Sequence, residues 1–273
     1  MSEPEFIAPT MLNHVLDVVG AGDALIVSGG TSVAVLLKQR LIEPEKLVWL
    51  CRVAELKGIR RDADGSWRVG ACTTLAEVAV SPELRQDAPM VAQAASVVAN
   101  PRIRNVATVG GALVHADPRQ DLPPALLAAG AIVGVRGPEG ERSVPLRDGF
   151  FRGLMETALE PGEVVTHVSV PPRRDAVEAY RRFTPQSMDD YPTVAVAARL
   201  ERTGAGAAAR LSLALGGVAP TPVLVNTDVA NAAAAARAAT SPTSDERGSA
   251  AYKTAMAEMW TQRVLSELLE GET

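Results

Sequence analysis

The amino-acid sequence predicts an α+β protein, and three observations support that class. Near the N-terminus a short apolar strand pattern runs into a Gly-Gly turn and then a helix pattern, over residues 24–40. Between residues 178 and 216, three consecutive strand patterns precede an alanine-rich helical segment, which is typical of an α+β domain. The chain has 273 residues, enough for two domains or for one domain with subdomains.

Helices and strands alternate in the first part of the chain. In order, we predict a helix at residues 10–20, a strand at Ala24–Val27, a helix at Val33–Arg40, a strand at Leu47–Leu50 and a hairpin at residues 56–70. The first helix has its apolar residues on one face and Thr10 or Asn13 as its N-cap. The hairpin turns at Asp62–Gly65, where turn-forming residues separate two alternating segments.

Helix signals dominate the middle of the chain. The predicted elements are helices at Leu75–Val80, Pro89–Ala99 and Leu122–Ala129, and strands at Ala131–Arg136 and Glu163–Val170. Thr74 and Glu77 have the spacing of a capping box at the start of the first of these helices. Pro101 should end the second helix, whereas Pro123 and Pro124 fall in the first turn of the third, where proline is tolerated.

A Pro-Pro-Arg-Arg segment at residues 171–174 marks a boundary before the C-terminal region. The strands predicted there are Glu178–Phe183, Thr193–Glu201 and Ala208–Gly216, with a Gly/Ala turn between the last two. Residues 230–240 are dense in alanine, the strongest helix former, and are predicted to be helical. Residues 241–249 are predicted to form a loop.

Composition argues against several functional classes. The net charge is −5 and aromatic residues make up only 4%, which argues against a nucleic-acid-binding protein. Two cysteines, Cys51 and Cys72, are too few for a disulfide framework or a four-cysteine metal or iron–sulfur site, and we expect both to be inert core residues. The sequence shows no signal peptide and no membrane-spanning segment, so a soluble cytoplasmic protein is expected.

Two Gly-Gly segments are candidates for holding a phosphate group. Ser28–Ser32 (SGGTS) follows a predicted strand, and Thr108–Gly111 (TVGG) has a hydroxyl beside paired glycines. Glycines let backbone N–H groups approach an anion closely, and a helix N-terminus favours negative charge. Each segment alone also fits a tight turn before a helix. Together they suit a diphosphate that is held from two sides by backbone amides.

An acidic loop follows the second segment, at His115–Asp121. One of its carboxylates would suit ribose or ribityl hydroxyl groups as a hydrogen-bond acceptor. A metal site is the alternative for His115 and Asp117, but such sites usually need three or four ligands and the chain has three histidines in all. Asp189 and Asp190 fit a solvated turn, and a Ser-His-Asp triad has no GxSxG motif to support it.

Four segments occur in order and at a familiar spacing. They are SGGTS at 28–32, IRNVATVGGALVHADPRQDLPPALLA at 103–128, PGEVVTHVSVP at 161–171 and GGVAPTP at 216–222. Together they resemble the FAD-binding medium subunit of molybdenum hydroxylases, a family with members in carbon monoxide, nicotine-type and xanthine dehydrogenases. The resemblance covers nearly the whole chain.

This resemblance implies a fold of the vanillyl-alcohol-oxidase (PCMH) type. Two α/β subdomains at 1–56 and 57–172 would hold FAD in a cleft beside a C-terminal α+β domain at 173–273, built on a three-stranded antiparallel sheet with helices. The implied FAD-binding residues are Ile26, Val27, Ser28, Gly29, Gly30, Thr31, Ser32 and Val33 in the first loop, Thr108, Val109, Gly110, Gly111 and Ala112 in the second, Asp117 and Asp121 in the acidic loop, and Val165 beside the flavin ring. Ala112 stands where the family often has Asn.

The resemblance also implies a function. The chain would take electrons from [2Fe-2S] clusters in an iron–sulfur small subunit and pass them through FAD to an external acceptor. Substrate would be oxidised at a molybdenum cofactor in a molybdopterin large subunit, within a heterotrimer or a dimer of heterotrimers. No residue of this chain is assigned to acid–base catalysis, to a metal or to a membrane. The alternatives are a degenerate FAD-fold assembly module without catalysis and a stand-alone flavin oxidoreductase.

Overall fold

The structure is a computed structural model that describes residues 3–201 and 210–270. Its strands are β1 Glu5–Ile7, β2 Ala24–Val27, β3 Lys46–Trp49, β4 Ile59–Arg61, β5 Trp67–Gly70, β6 Ile132–Gly137, β7 Gly140–Pro145, β8 Phe151–Gly153, β9 Glu156–Thr157, β10 Val164–Val170, β11 Val177–Phe183, β12 Val194–Glu201, β13 Arg210–Gly216 and β14 Val223–Thr227. Its helices are α1 Leu12–Gly20, α2 Thr31–Lys38, α3 Leu75–Val80, α4 Pro82–Asp87, α5 Pro89–Ser96, α6 Pro101–Arg104, α7 Val109–His115, α8 Leu122–Ala129, α9 Ala232–Ala238 and α10 Ala250–Glu270. The predicted α+β class is confirmed.

The N-terminal lobe is a small parallel sheet in the order β1-β3-β2. Helix α1 packs against β2 and β3 through an apolar face that includes Leu12 and Val15. Its N-cap is Met11, without a side-chain hydrogen bond, rather than the predicted Thr10 or Asn13. Neither β2 nor α2 contains a buried residue, so this edge of the lobe is open.

The central sheet has the order β4-β5-β10-β6-β7, with antiparallel pairing throughout. Helices α3, α5, α7 and α8 share one apolar core with it. The hairpin β4–β5, the helix α8 and the capping box formed by Thr74 and Glu77 agree with the sequence prediction. Strands β7 to β9 were not predicted, because edge segments such as GERSVP carry too many polar residues to give a strand pattern.

Prolines set the helix boundaries differently from the prediction. Pro101 begins the short helix α6 instead of only ending the helix before it, and α5 ends at Ser96 rather than Ala99. Asn100 caps α6 through a side-chain oxygen that accepts from the Ile103 amide. A proline in the first helical position loses no hydrogen bond, which is why the chain can start a new helix there.

The C-terminal sheet is antiparallel in the order β11-β12-β13-β14. It has four strands in the described ranges, so the expectation of three was wrong: β14 follows the GGVAPTP segment, where two prolines obscure the strand signal. The predicted Gly/Ala turn at 202–209 lies outside the described residues, as does the start of the strand predicted from Ala208. Helix α10 covers one face of this sheet and α8 covers the other.

Alternate residues of the C-terminal sheet therefore enter two different cores. Ala195 and Ala197 join the core of the central region, whereas Val194 and Val196 join the core beneath α10. This period of two along a strand with both faces covered explains why β12 is apolar at almost every position. No helix in the described part of the chain is both long enough and apolar enough to cross a membrane.

Candidate functional site

The first predicted loop leads from the end of β2 into the start of α2. Gly30 is the N-cap of α2, with a left-handed backbone at φ +71° that favours glycine, and no side chain caps the helix. The amides of the first helical residues, Thr31, Ser32 and Val33, therefore have no partner within the helix. Such a helix start carries a partial positive charge and suits an anion.

Gly29 fixes where this loop lies. A Cβ atom at this position would stand 2.0 Å from the carbonyl oxygen of Val106 and 2.9 Å from Cα of Ala107. The first loop therefore rests directly on the backbone that leads into the second loop, and only glycine permits that approach. The Trp49 indole N–H donates to the Ser28 carbonyl oxygen at 3.0 Å and holds the loop from the side of β3.

The second predicted loop is the first turn of α7. Thr108 caps this helix by accepting from the Gly111 amide at 3.1 Å. The amides of Val109 and Gly110 donate to the carbonyl oxygens of Thr73 at 3.0 Å and Ala71 at 2.8 Å. All three donors are thus engaged within the protein, and the expected second nest of free amides is not present at these residues.

Glycine at position 110 has a packing reason. Its backbone is not left-handed, and a Cβ atom there would stand 2.8 Å from Cβ and 2.9 Å from the carbonyl oxygen of Ala71. Gly111 instead faces the first loop, because a Cβ atom there would stand 2.9 Å from Oγ of Ser28. Ala112 is half-buried, and its amide donates to the Thr108 carbonyl oxygen. Its methyl side chain cannot donate a hydrogen bond to a ligand.

The two loops meet through their hydroxyl groups. Oγ of Ser28 and Oγ1 of Thr108 are 2.8 Å apart, although the residues are 80 positions apart in the chain. Two hydroxyl groups carry two hydrogens and their mutual bond uses one, so one hydrogen remains for a further acceptor. This contact brings together the two loops that the sequence analysis assigned to one candidate site.

Asp117 is held by its neighbour Arg119. The Arg119 backbone amide and guanidinium donate to the carboxylate at 2.9–3.0 Å. Burial alone would raise the pKa of Asp117, but the hydrogen bonds and charge of Arg119 outweigh it and keep that pKa below its usual value. The Arg119 guanidinium also lies 5.3 Å from the ring centre of Tyr191. Both oxygens of Asp117 are therefore already engaged within the protein.

Asp121 lies between the central region and the C-terminal sheet. The Tyr180 hydroxyl donates to one oxygen at 2.5 Å, and Nη1 of Arg182 donates to the other at 3.2 Å. Burial raises the pKa of Asp121 to about 6 in spite of the Arg182 charge. The carboxylate expected to face a flavin hydroxyl is thus used to join two parts of the fold.

Val165 lies in the main core on β10 and is 4% exposed. This burial leaves almost no surface for a flavin ring, and so does not support the predicted ring contact. Sequence reasoning also missed Trp49, Ala71 and Val106, which position the two loops. Only Trp49 had a usable signal, since it ends a strand parallel to β2 and so reaches the same sheet edge.

The alternative of a metal site at His115 and Asp117 is not supported in the part of the chain that the structure describes. That part contains no cluster of three or more His, Cys, Asp or Glu side chains arranged to hold an ion. His115 is half-buried, and desolvation lowers its pKa. The candidate site is therefore the pair of loops, with hydroxyl groups and backbone amides as its polar groups.

Two protein-family models together match nearly the whole chain. Residues 2–173 match the family described as the FAD binding domain in molybdopterin dehydrogenase, and residues 178–268 match the CO dehydrogenase flavoprotein C-terminal domain. The carbon monoxide dehydrogenase medium chain of Hydrogenophaga pseudoflava is 33% identical, over 96% of both chains. The 6-hydroxypseudooxynicotine dehydrogenase complex subunit alpha of Paenarthrobacter nicotinovorans is 31% identical, over 97% of this chain and 94% of that one.

Solved structures show the same relationship in three dimensions. A chain of carbon monoxide dehydrogenase from Hydrogenophaga pseudoflava, in a form that lacks the Mo-pyranopterin moiety, superposes with a TM-score of 0.91. That chain is 32% identical, and the match covers 98% of both chains. Fold, length and both matched segments agree with the resemblance that the sequence motifs indicated. The chain belongs to the family of FAD-binding medium subunits of molybdenum hydroxylases.

Proposed function

We propose that this chain binds the diphosphate of FAD at the start of α2, beside the hydroxyl groups of Ser28 and Thr108. The observation that carries the proposal is the contact between the two glycine loops next to a helix start without a side-chain cap. The amides of Thr31, Ser32 and Val33 and one free hydroxyl hydrogen form a donor set that fits an anionic diphosphate. The residues present therefore fit the cofactor that the family binds.

The residues of the site bind and orient the cofactor rather than transfer protons. Gly29 and Gly30 keep the backbone close and free of side chains, and Trp49 fixes the Ser28 carbonyl group. FAD, when bound, supplies the ability to accept two electrons and hand them on. The proposed role is to take electrons from iron–sulfur clusters of a partner chain and deliver them to an external acceptor.

The proposed assembly contains an iron–sulfur small subunit and a molybdopterin large subunit. Relatives are named as medium chains or as subunits of dehydrogenase complexes, which supports partner subunits for this chain. Two cysteines are too few for a four-cysteine [2Fe-2S] cluster, which supports our placing the clusters on another chain. Within this chain we propose FAD-binding subdomains at 1–56 and 57–172 and a C-terminal domain at 173–273.

The site is tested by placing one negative charge at the start of α2. Ser32→Asp should leave the apo protein as stable as the wild type or slightly more stable, because an acidic residue suits a helix N-terminus by about 0.3–1 kcal/mol. The same charge would repel a diphosphate, so the Kd for FAD should rise at least tenfold. FAD fluorescence titration and thermal melting of the apo protein measure the two effects.

Ser32→Asn is the matched control, because it has nearly the same shape without the charge. It should bind FAD within a fewfold of the wild type. Equal FAD affinity in Ser32→Asp and Ser32→Asn would overturn the assignment of the diphosphate to α2. Co-purification of the tagged chain with its partners, followed by iron and molybdenum analysis, tests the assembly separately.

A further inference from the structure

A cavity of about 480 Å³ lies where three segments of the chain meet. Its walls come from the β4–β5 hairpin, the end of α4 and the segment between β10 and β11. Three arginines line it, Arg61, Arg173 and Arg174, together with the aspartates Asp64 and Asp87. Its volume lies within the range of small-molecule sites, about 300–1,000 Å³. None of the described residues that line it belongs to either glycine loop.

Hydrogen bonds join the three walls of this cavity. The Trp67 indole N–H donates to Oδ2 of Asp87 at 2.9 Å, and Cζ of Arg61 lies 5.4 Å from the centre of the Trp67 ring. The Arg173 amide donates to the Asp87 carbonyl oxygen at 2.5 Å, and the Arg173 carbonyl oxygen accepts from Nη2 of Arg199 at 3.4 Å. The backbone that carries the arginines is therefore held in place without a ligand, which lowers the entropic cost of binding one.

The arginines of the cavity lack acidic partners. In residues 3–201 and 210–270, no carboxylate forms an ion pair with Arg61, Arg173 or Arg174. The two aspartates of the cavity accept hydrogen bonds from Ser66 and from the Trp67 indole instead. Each guanidinium group has five N–H donors and no acceptor. The cavity therefore gathers strong donors that no acid of the described chain pairs with.

Arg174 has a backbone conformation that does not favour arginine. Its φ is +49°, in the left-handed region that residues other than glycine seldom adopt. The side chain is exposed, and its guanidinium makes no hydrogen bond within the described residues. Neither local conformation nor packing therefore accounts for an arginine here, whereas a ligand bound by its guanidinium would.

We propose that this cavity binds a small multivalent oxyanion through Arg61, Arg173 and Arg174. The planar guanidinium fork matches the oxygens of phosphate and carboxylate groups bidentately, so polyphosphates and polycarboxylates share the required chemistry. The bound anion would connect the hairpin of the central sheet to the segment that leads into the C-terminal sheet. It would thereby stabilise the junction between the two matched family segments. The inference does not depend on which ligand the glycine loops bind.

Calorimetric titration of the purified full-length chain with pyrophosphate and with citrate tests the proposal. The titrations use excess FAD and constant ionic strength. At least one probe should bind with a Kd below about 1 mM and raise the melting temperature, because a ligand that binds only the folded state stabilises it. The tighter of the two probes identifies phosphate or carboxylate as the preferred oxyanion. If neither probe binds below about 10 mM, the proposal is overturned.

Arginine variants locate the bound probe. Arg174→Gly removes a guanidinium where the backbone suits glycine, so the protein should stay folded while the Kd for the probe rises about tenfold. Arg61→Gln should have a similar effect on the Kd. Arg40→Gly is the matched control, because Arg40 is also exposed and left-handed, at φ +56°, but does not line the cavity. It should bind the probe as the wild type does.

Ser32→Asp separates this cavity from the glycine loops. Its added charge lies at the start of α2, so it should leave the affinity for the probe unchanged even where it weakens FAD binding. An unchanged Kd in both Arg174→Gly and Arg61→Gln would contradict the proposal. So would a loss of probe binding in Ser32→Asp, since the anion would then lie at the glycine loops.

Discussion

Single residues at the two loops are constrained by backbone contacts more than by side-chain chemistry. Gly29 lies against the backbone of Val106, and Trp49 reaches the same loop with its indole N–H. Neither contact involves an ionisable group. The loop therefore depends on close packing for its position, and small volume changes should disturb it.

Gly29→Ala tests this dependence. The new methyl group would overlap the Val106 carbonyl group, so the backbone must move. We expect the variant to lose about 1–3 kcal/mol of stability and to retain less FAD. Thermal melting and flavin content after gel filtration measure both. Gly20→Ala is the control, because nothing lies within 4 Å of the added methyl group and the site ends helix α1. A Gly29→Ala protein with wild-type melting and flavin content would refute the packing argument.

Asp121 should give stability a distinctive pH dependence. Its pKa rises from the usual 3.8 to about 6 in the folded protein, so the folded state holds this proton more tightly than the unfolded state. The contribution of the carboxyl group to stability is therefore greatest below its unfolded pKa, falls as pH rises towards about 6, and is constant above that.

Asp121→Asn removes this titration. The free energy of unfolding of the wild type minus that of the variant should fall by up to about 3 kcal/mol between pH 3.8 and about 6, at about 1.36 kcal/mol per pKa unit. Urea unfolding of both proteins across this range measures the difference. A difference independent of pH would mean that the carboxyl group titrates normally.

At the scale of elements, hydrogen bonds to the segment before α3 hold the start of α7 in position. Its first amides donate to Ala71 and Thr73, so the first turn of α7 is part of the packing between helix and sheet. The two glycines at its start therefore have separate roles: Gly110 packs against Ala71, whereas Gly111 packs against the Ser28 hydroxyl group of the other loop.

Alanine at these two positions should separate packing from binding. Gly110→Ala should lower the melting temperature of the apo protein, because the methyl group would lie 2.8 Å from Cβ of Ala71. Gly111→Ala should change stability less and FAD affinity more, because it presses on the Oγ of Ser28, which can rotate away from the site. Melting of the apo proteins and FAD titration give the comparison. If both variants lost only FAD affinity, the packing role of Gly110 would be wrong.

At the scale of the whole molecule, a buried ion pair links strands β11 and β12 of the C-terminal sheet, and its arginine also bonds to the segment before the sheet. Nη1 of Arg199 lies 3.3 Å from Oε1 of Glu178, and the Glu178 side chain is fully buried. Nη2 of Arg199 also donates to the Pro172 carbonyl oxygen at 3.1 Å. Removing one partner of such a pair leaves an uncompensated buried charge.

Arg199→Met should destabilise the protein by about 3–5 kcal/mol. The double variant Glu178→Leu/Arg199→Met should recover much of this loss, because it removes the unpaired charge. Chemical denaturation of the three proteins gives the comparison. Equal stability of Arg199→Met and the wild type would show that Arg199 and its ion pair contribute nothing to stability.

Much of the fold was predictable from local signals. The capping box at Thr74, the hairpin turn at Asp62–Gly65 and the apolar run of α8 each encode an element within a few residues. Polar edge strands such as β7 and the proline-flanked β14 lack such a signal. The glycine loops could also be proposed as a candidate site from sequence, because glycine next to a hydroxyl residue is a local pattern.

The details of the site depend on contacts that sequence patterns do not encode. The bond between Ser28 and Thr108 spans 80 positions. Whether an amide is free or already bonded depends on distant segments, so the engaged amides of α7 were not foreseeable. For the same reason the sequence indicated Asp121 as an acceptor but not the partners that occupy it.

Helix α8 has a consequence for how the chain folds. All eight of its residues are buried, and one side of it faces the C-terminal sheet. During synthesis α8 emerges before β12 and β13, so the first matched family segment is complete while this apolar helix is still uncovered. A chain released at that stage would be prone to aggregate or to need a chaperone. The two family segments should therefore refold as a single cooperative unit, and the C-terminal one cannot be treated as a detachable accessory.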